Sequence, residues 1–109
     1  MRKAYLGEFE ELVLLTTAVL AGQEAYGVTV ANELEQQTGR AVSIAAVHVA
    51  LHRLLEKGYV RSELGGATAT RGGRRKRLFA VTPAGQHVLR EMRTTRNRLW
   101  DLIPKTAFS

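Results

Sequence analysis

The chain has 109 residues, of which 45% are apolar and 24% charged, and it carries a formal net charge of +6. This length allows one compact domain with a modest core. Because the sequence contains no cysteine, it excludes a disulfide framework, a thiolate zinc site and a cysteine nucleophile. The same absence suits a reducing compartment, and we expect a cytoplasmic location.

The charge is distributed unevenly along the chain. Residues 1–63 hold six basic and eight acidic side chains, whereas residues 64–109 hold ten basic and two acidic ones. Such a one-sided positive field attracts polyanions, so nucleic acids and acidic membranes are both candidate partners. The N-terminus lacks the apolar core of a signal peptide, and the longest apolar stretch, at 12–21, is too short to span a bilayer. We therefore expect no membrane partner.

Three helices are predicted in the first half of the chain. The first covers residues 6–21 and is apolar on most sides, so several other elements must cover it. The second begins at Tyr26 and ends before Gly39, a residue that favours a left-handed helix stop. The third follows Ser43, a good N-cap, and ends at Gly58. Its predicted buried stripe consists of Ile44, Val47, Leu51 and Leu54.

Two strands and a long helix are predicted in the second half. The strands cover 59–64 and 77–82 and are joined by a tip rich in Gly, Thr and Arg. The helix begins at Thr82-Pro83, an N-cap followed by proline, and ends before Pro104. We predict a mainly α protein with a small antiparallel β-hairpin wing. Residues 1–82 would form a winged helix-turn-helix DNA-binding domain, and residues 83–109 a C-terminal dimerisation helix and tail.

The third helix and the hairpin tip are the candidate DNA-binding elements. In a helix-turn-helix protein the second helix of the motif enters the major groove, where small side chains permit close approach. The tip contains the run RGGRRKR at 71–77, with five cations in seven residues. Like charges repel one another, and a phosphate backbone would relieve this repulsion. The alternatives are an ordinary solvated helix face and a hairpin tip that only improves solubility.

Metal binding and catalysis are the weaker interpretations. His48 and His52 have the i, i+4 spacing of metal ligands, and Glu56 continues their face. Position 49 is Val, however, so the metalloprotease pattern lacks its glutamate base, and no third ligand is evident. The sequence shows no Ser/His/Asp order, no paired carboxylates in a plausible cleft and no phosphate-loop motif. We expect no catalytic residues, no metal and no cofactor.

Several segments together resemble the PadR family of transcriptional regulators. They are YLGEFE at 5–10, AYG at 25–27, AVHVALHRL at 46–54, EKG at 56–58 and LFAVTPAG at 78–85. The resemblance implies a winged helix, dimerisation through the terminal helices and repression by binding an operator. The implied contacts of the third helix with DNA are Ser43, Ala46, His48, Val49, His52 and Arg53. The implied wing contacts are Arg71, Arg74, Arg75 and Lys76.

His48 stands where the family commonly has tyrosine. Histidine can still bond a phosphate, but its charge varies near neutral pH. We hypothesise that DNA binding tightens as the pH falls from about 7.5 to 6. Equal affinity across this range, with no change in a His48→Gln variant, would contradict the hypothesis.

The last helix carries a short heptad-like seam that favours packing against a second copy. With two residues of the apolar first helix, the predicted dimer interface consists of Phe9, Val13, Val88, Met92, Leu99, Leu102 and Ile103. The family resemblance also implies a planar aromatic effector, held between subunits by Trp100, Met92 and Phe9, although plain packing in the dimer interface is the favoured interpretation of Trp100. Two other functions remain open, a winged-helix protein–protein interaction module without specific DNA binding and an RNA-binding protein.

Overall fold

The computed structural model describes residues 6–65 and 76–108. Within these residues the chain forms four α-helices, a two-stranded antiparallel sheet and a short 3-10 helix, which confirms the predicted winged-helix fold class. The elements are α1 at Glu8–Val19, α2 at Gly27–Thr38, α3 at Ile44–Glu56, β1 at Val60–Leu64, β2 at Arg77–Val81, α4 at Pro83–Leu102 and the 3-10 helix at Lys105–Phe108. The predicted wing contacts Arg71, Arg74 and Arg75 lie outside the described residues.

Local signals mark the starts of α3 and α4 and the end of α2. The Ser43 hydroxyl accepts a hydrogen bond of 3.2 Å from the Ala46 backbone N–H at the start of α3. The Thr82 hydroxyl accepts one of 3.1 Å from the Gly85 N–H at the start of α4. Gly39 follows α2 with a φ of 73°, in the left-handed region that glycine tolerates best. These three signals are short-range, and each was predicted from the sequence.

The core lies between α1, α2, α3 and the inner face of the hairpin. Its buried side chains include Leu14 of α1, Val30 of α2, Leu51 and Leu54 of α3, and Phe79 of β2. Ile44 was predicted to be buried with the α3 stripe, and this is wrong, because its side chain is 43% exposed. Ile44 is the first residue of α3 and lies beyond the end of the core, so Ala50 completes the buried stripe instead.

The hairpin is attached to the segment that precedes α2. Val60 pairs with Val81 and Leu64 with Arg77 in the antiparallel register. The Phe79 backbone N–H donates a hydrogen bond of 2.8 Å to the carbonyl oxygen of Ala25. The edge of β2 is therefore bonded to the residue two positions before α2, which places the base of the wing beside the start of that helix.

Helix α4 begins in the domain and then extends away from it. Gly85 packs against the Tyr59 carbonyl, and Val88 and Met92 belong to the core. Glu11 of α1 accepts a hydrogen bond from Arg96. Beyond Arg96 the large apolar side chains of α4 are exposed, so the helix is packed against its own domain only as far as about Arg96.

This arrangement corrects part of the predicted dimer interface. The side chains of Val13, Val88 and Met92 are buried in the core of the single chain. They already contact their own domain, so they offer no surface to a second copy, and Met92 also cannot line an effector site between subunits. Among the described residues, no helix is both long enough and apolar enough to cross a membrane.

Candidate nucleic-acid interface

The outer face of α3 is open to solvent. Ala46, His48, Val49 and His52 are all exposed, and Val49 retains 52% of its accessible surface. The buried face of the same helix holds it firmly, because Val47, Leu51 and Leu54 are fully buried. A rigid helix with small and hydrogen-bonding side chains on its free face has the form of a major-groove reading element.

The start of α2 lies directly against this face. Gly27 is the first residue of α2, and the imidazole ring of His48 occupies the space that a β-carbon on residue 27 would need. Glycine at this position lets the ring pack against the α2 backbone. The contact fixes one side of His48 and leaves the side chain exposed on the other side. The sequence did not reveal this role of Gly27, because its only signal is a glycine at the first position of a helix.

The base of the wing lies on the other side of the same surface. Lys76 precedes β2, and its Nζ donates a hydrogen bond of 2.9 Å to the hydroxyl oxygen of Tyr26, the N-cap residue of α2. The same Nζ lies 4.3 Å from the centre of the Tyr26 ring. The hydrogen bond with Tyr26 raises the pKa of Lys76 above its ordinary value, and the nearby Glu24 acts in the same direction. Lys76 therefore remains a cation throughout the neutral pH range.

The exposed face of α3, the start of α2 and the base of the wing surround an open cavity of about 300 Å³. The lining residues are Tyr26, Gly27, Val28, His48, His52, Lys76, Arg77 and Phe79. No acidic side chain lines the cavity, whereas two lining residues are cations and two are histidines. We call this surface, together with the exposed face of α3, the α3–wing surface. Its chemistry favours an anionic ligand.

Arg53 differs from the other predicted contacts. It lies in the last turn of α3, and its Nη1 is 3.7 Å from a carboxylate oxygen of Glu10 on α1. The same carboxylate accepts a hydrogen bond of 2.7 Å from Nζ of Lys57. Glu10 therefore partly neutralises the cationic end of α3, an arrangement that the sequence did not reveal because the partners are more than 40 positions apart.

His48 and His52 have no third metal ligand beside them in the described part of the chain. Both residues line the same cavity. No group of three His, Asp or Glu side chains suited to a metal ion occurs among residues 6–65 and 76–108. The polar neighbours of the histidines are Lys76, Arg77 and Tyr26. The two cations would repel a metal cation, and none of the three is a usual zinc ligand.

A second exposed surface lies at the end of α4. Leu99, Trp100 and Leu102 retain 60%, 67% and 69% of their accessible surface. The Trp100 ring lies 6.5 Å from that of Phe108, centre to centre, at 57°. Phe9 on α1 is also exposed, and Ile103 is half-buried. We call Leu99, Trp100, Leu102 and Ile103 the α4 apolar surface. Phe9 instead lines a cleft with Leu34 and Ala46. Apolar side chains this large and this exposed mark an interaction site.

Known proteins share both the sequence pattern and the fold. Residues 16–91 match the family model described as the transcriptional regulator PadR-like family. A PadR-like transcription factor from Bacteroides fragilis has 17% identity and a TM-score of 0.70, over 85% of this chain and 84% of its own. A PadR-like regulator from Bacillus cereus has 18% identity and a TM-score of 0.65, over 85% and 84%. A PadR family regulator from Eggerthella lenta has 26% identity and a TM-score of 0.64, over 86% and 80%. Curated proteins give no significant match.

Proposed function

Because the chain belongs to the PadR-like family of transcriptional regulators, we propose that it is a repressor that binds a near-palindromic DNA operator as a homodimer. The observation that carries this proposal is the α3–wing surface. The exposed face of α3 lies next to Lys76 and Arg77 at the base of the wing, and Ala46, His48, Val49 and His52 keep exposed side chains there. The helix can therefore enter a major groove while cations meet the flanking backbone.

The proposed contacts fall into two groups with different roles. Ala46, His48, Val49 and His52 would reach base edges, the Ala46 methyl meeting a thymine methyl, whereas Ser43 would lie beside the backbone at the N-terminal end of α3. Lys76, with Arg71, Arg74 and Arg75 of the wing, would neutralise phosphates. Arg53 would contribute less, because Glu10 already holds it.

The α4 apolar surface supports the homodimer. Helix α4 has 20 residues and so is about 30 Å long. Its second half exposes Leu99, Trp100 and Leu102. A second copy that covers these residues together with Phe9 and Ile103 would remove several large side chains from water, each worth about 1.5–3 kcal/mol when fully buried. A twofold dimer would then present two α3 helices about 34 Å apart, to successive major grooves.

The test is selection of double-stranded DNA from a random library with the purified protein. We expect a near-palindromic winner with half-sites separated by about one helical turn. Binding of that operator should weaken with salt at a log–log slope of about −8, since each subunit makes four to five phosphate contacts. Binding that is weak and the same for all sequences, or a slope shallower than about −3, would contradict the proposal. Such a result would favour the alternative, a winged-helix protein–protein interaction module.

Repression itself needs a separate measurement. A reporter gene whose promoter overlaps the selected operator should be expressed less when the protein is present. A variant that loses two of the proposed DNA contacts, His52→Ala with Lys76→Met, provides the matched control, because both side chains are exposed and their loss should leave the fold intact. Increased expression with the native protein would assign it to activation instead.

We also propose that a planar aromatic effector binds at the dimer interface. Trp100 and Phe9 are exposed aromatic residues that a second copy would bring into a shared apolar space. Quenching of Trp100 fluorescence by planar cations or phenolic acids, together with a rise in the melting temperature that Trp100→Leu abolishes, would support this site. The absence of both effects would leave Trp100 as a packing residue of the interface.

A further inference from the structure

Hydrogen bonds hold the backbone in place on both sides of Tyr26. Its backbone N–H donates a hydrogen bond of 2.9 Å to the hydroxyl of Thr29. The preceding carbonyl, that of Ala25, accepts the 2.8 Å bond from Phe79 of β2. The backbone on both sides of Tyr26 is therefore anchored, and the ring projects from α2 towards the base of the wing, where it lines the α3–wing cavity.

The hydroxyl of Tyr26 has hydrogen-bonding capacity left. A phenol offers one O–H donor as well as acceptor lone pairs. Here the oxygen accepts from Nζ of Lys76 at 2.9 Å, so its own proton remains available to donate. Accepting a bond from a cation polarises the O–H group and makes it a stronger donor. Lys76 has three N–H donors, of which this bond uses one.

We propose that Tyr26 and Lys76 together bind one phosphate of the DNA backbone, with the Tyr26 O–H donating to a phosphate oxygen and Lys76 supplying the positive charge. The inference rests on the proposed DNA-binding function and adds Tyr26 to its contacts. A phosphate is the fitting ligand because it offers only acceptor oxygens and negative charge. Lys76, whose pKa the hydrogen bond with Tyr26 raises, carries a positive charge at neutral pH.

This pairing also changes how Lys76 acts. In the sequence, Lys76 is one of several cations of the wing, with no sign of a partner. In the structure it is bonded to the N-cap of α2, 50 positions away, so a phosphate held by both groups would fix the register of the wing against α3. The energetic effects of the two residues should therefore be coupled, whereas two separate phosphate contacts would be additive.

The experiment compares Tyr26→Phe, Lys76→Met and the double variant on the operator selected with the native protein. We expect Tyr26→Phe to weaken binding by about three- to tenfold, with no change in the salt slope, because the hydroxyl carries no charge. Lys76→Met should weaken binding by a similar factor and reduce the slope by about two for the dimer. The double variant should bind little worse than Lys76→Met alone. Tyr59→Phe, which removes a hydroxyl from a half-buried tyrosine outside the cavity, is the matched control.

A second readout identifies the phosphate. Operators with a single neutral methylphosphonate at successive positions should show one position in each half-site where Tyr26→Phe no longer weakens binding. Equal binding by Tyr26→Phe and the native protein, or additive effects of Tyr26→Phe and Lys76→Met, would overturn the inference while leaving DNA binding intact. Failure of the native protein to bind any selected operator would instead overturn the proposed function. Equal melting temperatures of the variants would exclude a change of stability as the cause.

Discussion

The imidazole of His48 on α3 lies against Gly27 on α2, so closely that a β-carbon at position 27 would overlap the ring. The overlap would be with the end of a side chain, which can rotate away at low cost. We therefore expect Gly27→Ala to change the free energy of unfolding by less than about 1 kcal/mol, because the gain in helix propensity offsets the displacement of the ring. His48 would nevertheless leave its position on the α3–wing surface, and operator affinity should fall by about tenfold.

A double-mutant cycle isolates this effect. In a His48→Ala background the ring is absent, so Gly27→Ala should no longer alter DNA affinity. Fluorescence anisotropy with the selected operator measures the affinities, and urea denaturation measures the stabilities. A loss of affinity that persists in the His48→Ala background would show that Gly27 acts on DNA directly.

Glu10 is expected to oppose DNA binding while it supports the fold. Its carboxylate holds Arg53 and Lys57 at the end of α3. Both cations are more than one-third exposed, so Glu10→Gln should cost less than about 1 kcal/mol of stability. The same change frees two positive charges and should raise DNA affinity by about two- to fivefold at low salt. Glu33→Gln on α2, whose carboxylate accepts from Gln37, is the control, and a fall in affinity for Glu10→Gln would contradict the prediction.

We expect the wing to strengthen binding to any DNA and α3 to determine which sequence is preferred. Neutralising Arg74 and Arg75 together should weaken binding to all DNA sequences by a similar factor and reduce the salt slope by about four for the dimer. Changing Val49 or His52 should instead alter which operator is selected, with about the same slope. Titrations at several salt concentrations with the operator and a scrambled duplex measure both quantities. A wing variant that changes the selected sequence would assign base contacts to the wing.

The α4 apolar surface should control the oligomeric state. We expect Leu99→Asp with Leu102→Asp to convert a dimer into a monomer, because both side chains are exposed in the single chain and would lie in the interface. Sedimentation equilibrium measures the mass, and operator affinity should fall together with dimerisation. Leu64→Asp, also at an exposed apolar residue but on β1, is the control. This interface would be ruled out if the native protein is a monomer, or if the variant with both substitutions is still a dimer.

Gly85 is expected to tolerate no larger side chain. A β-carbon there would overlap the carbonyl oxygen of Tyr59, which belongs to the backbone and cannot rotate away. The start of α4 would have to shift, at a cost of about 1–3 kcal/mol in the free energy of unfolding. Gly7→Ala, where a β-carbon would meet open space, is the matched control. Equal denaturation midpoints for both variants would show that α4 can adjust freely.

The local features of the fold were predictable because their causes are local. Ser43 and Thr82 each bond the backbone three residues ahead, and Pro83 fixes the start of α4 in the same short stretch. The concentration of arginine and lysine after residue 63 indicated a polyanionic partner. These signals depend on residues that are adjacent in sequence or on charge alone.

The sequence by itself therefore determined the order and type of the elements, most of the exposed face of α3 and the basic character of the second half of the chain. Only the tertiary structure decided which residues of one apolar seam are covered, since Val88 and Met92 lie inside the domain while Leu99 and Leu102 lie beyond its edge. It also decided the contacts of His48 with Gly27 and of Lys76 with Tyr26. Periodicity specifies the direction in which a side chain points, but where the core ends and which distant residues meet depend on how the helices pack.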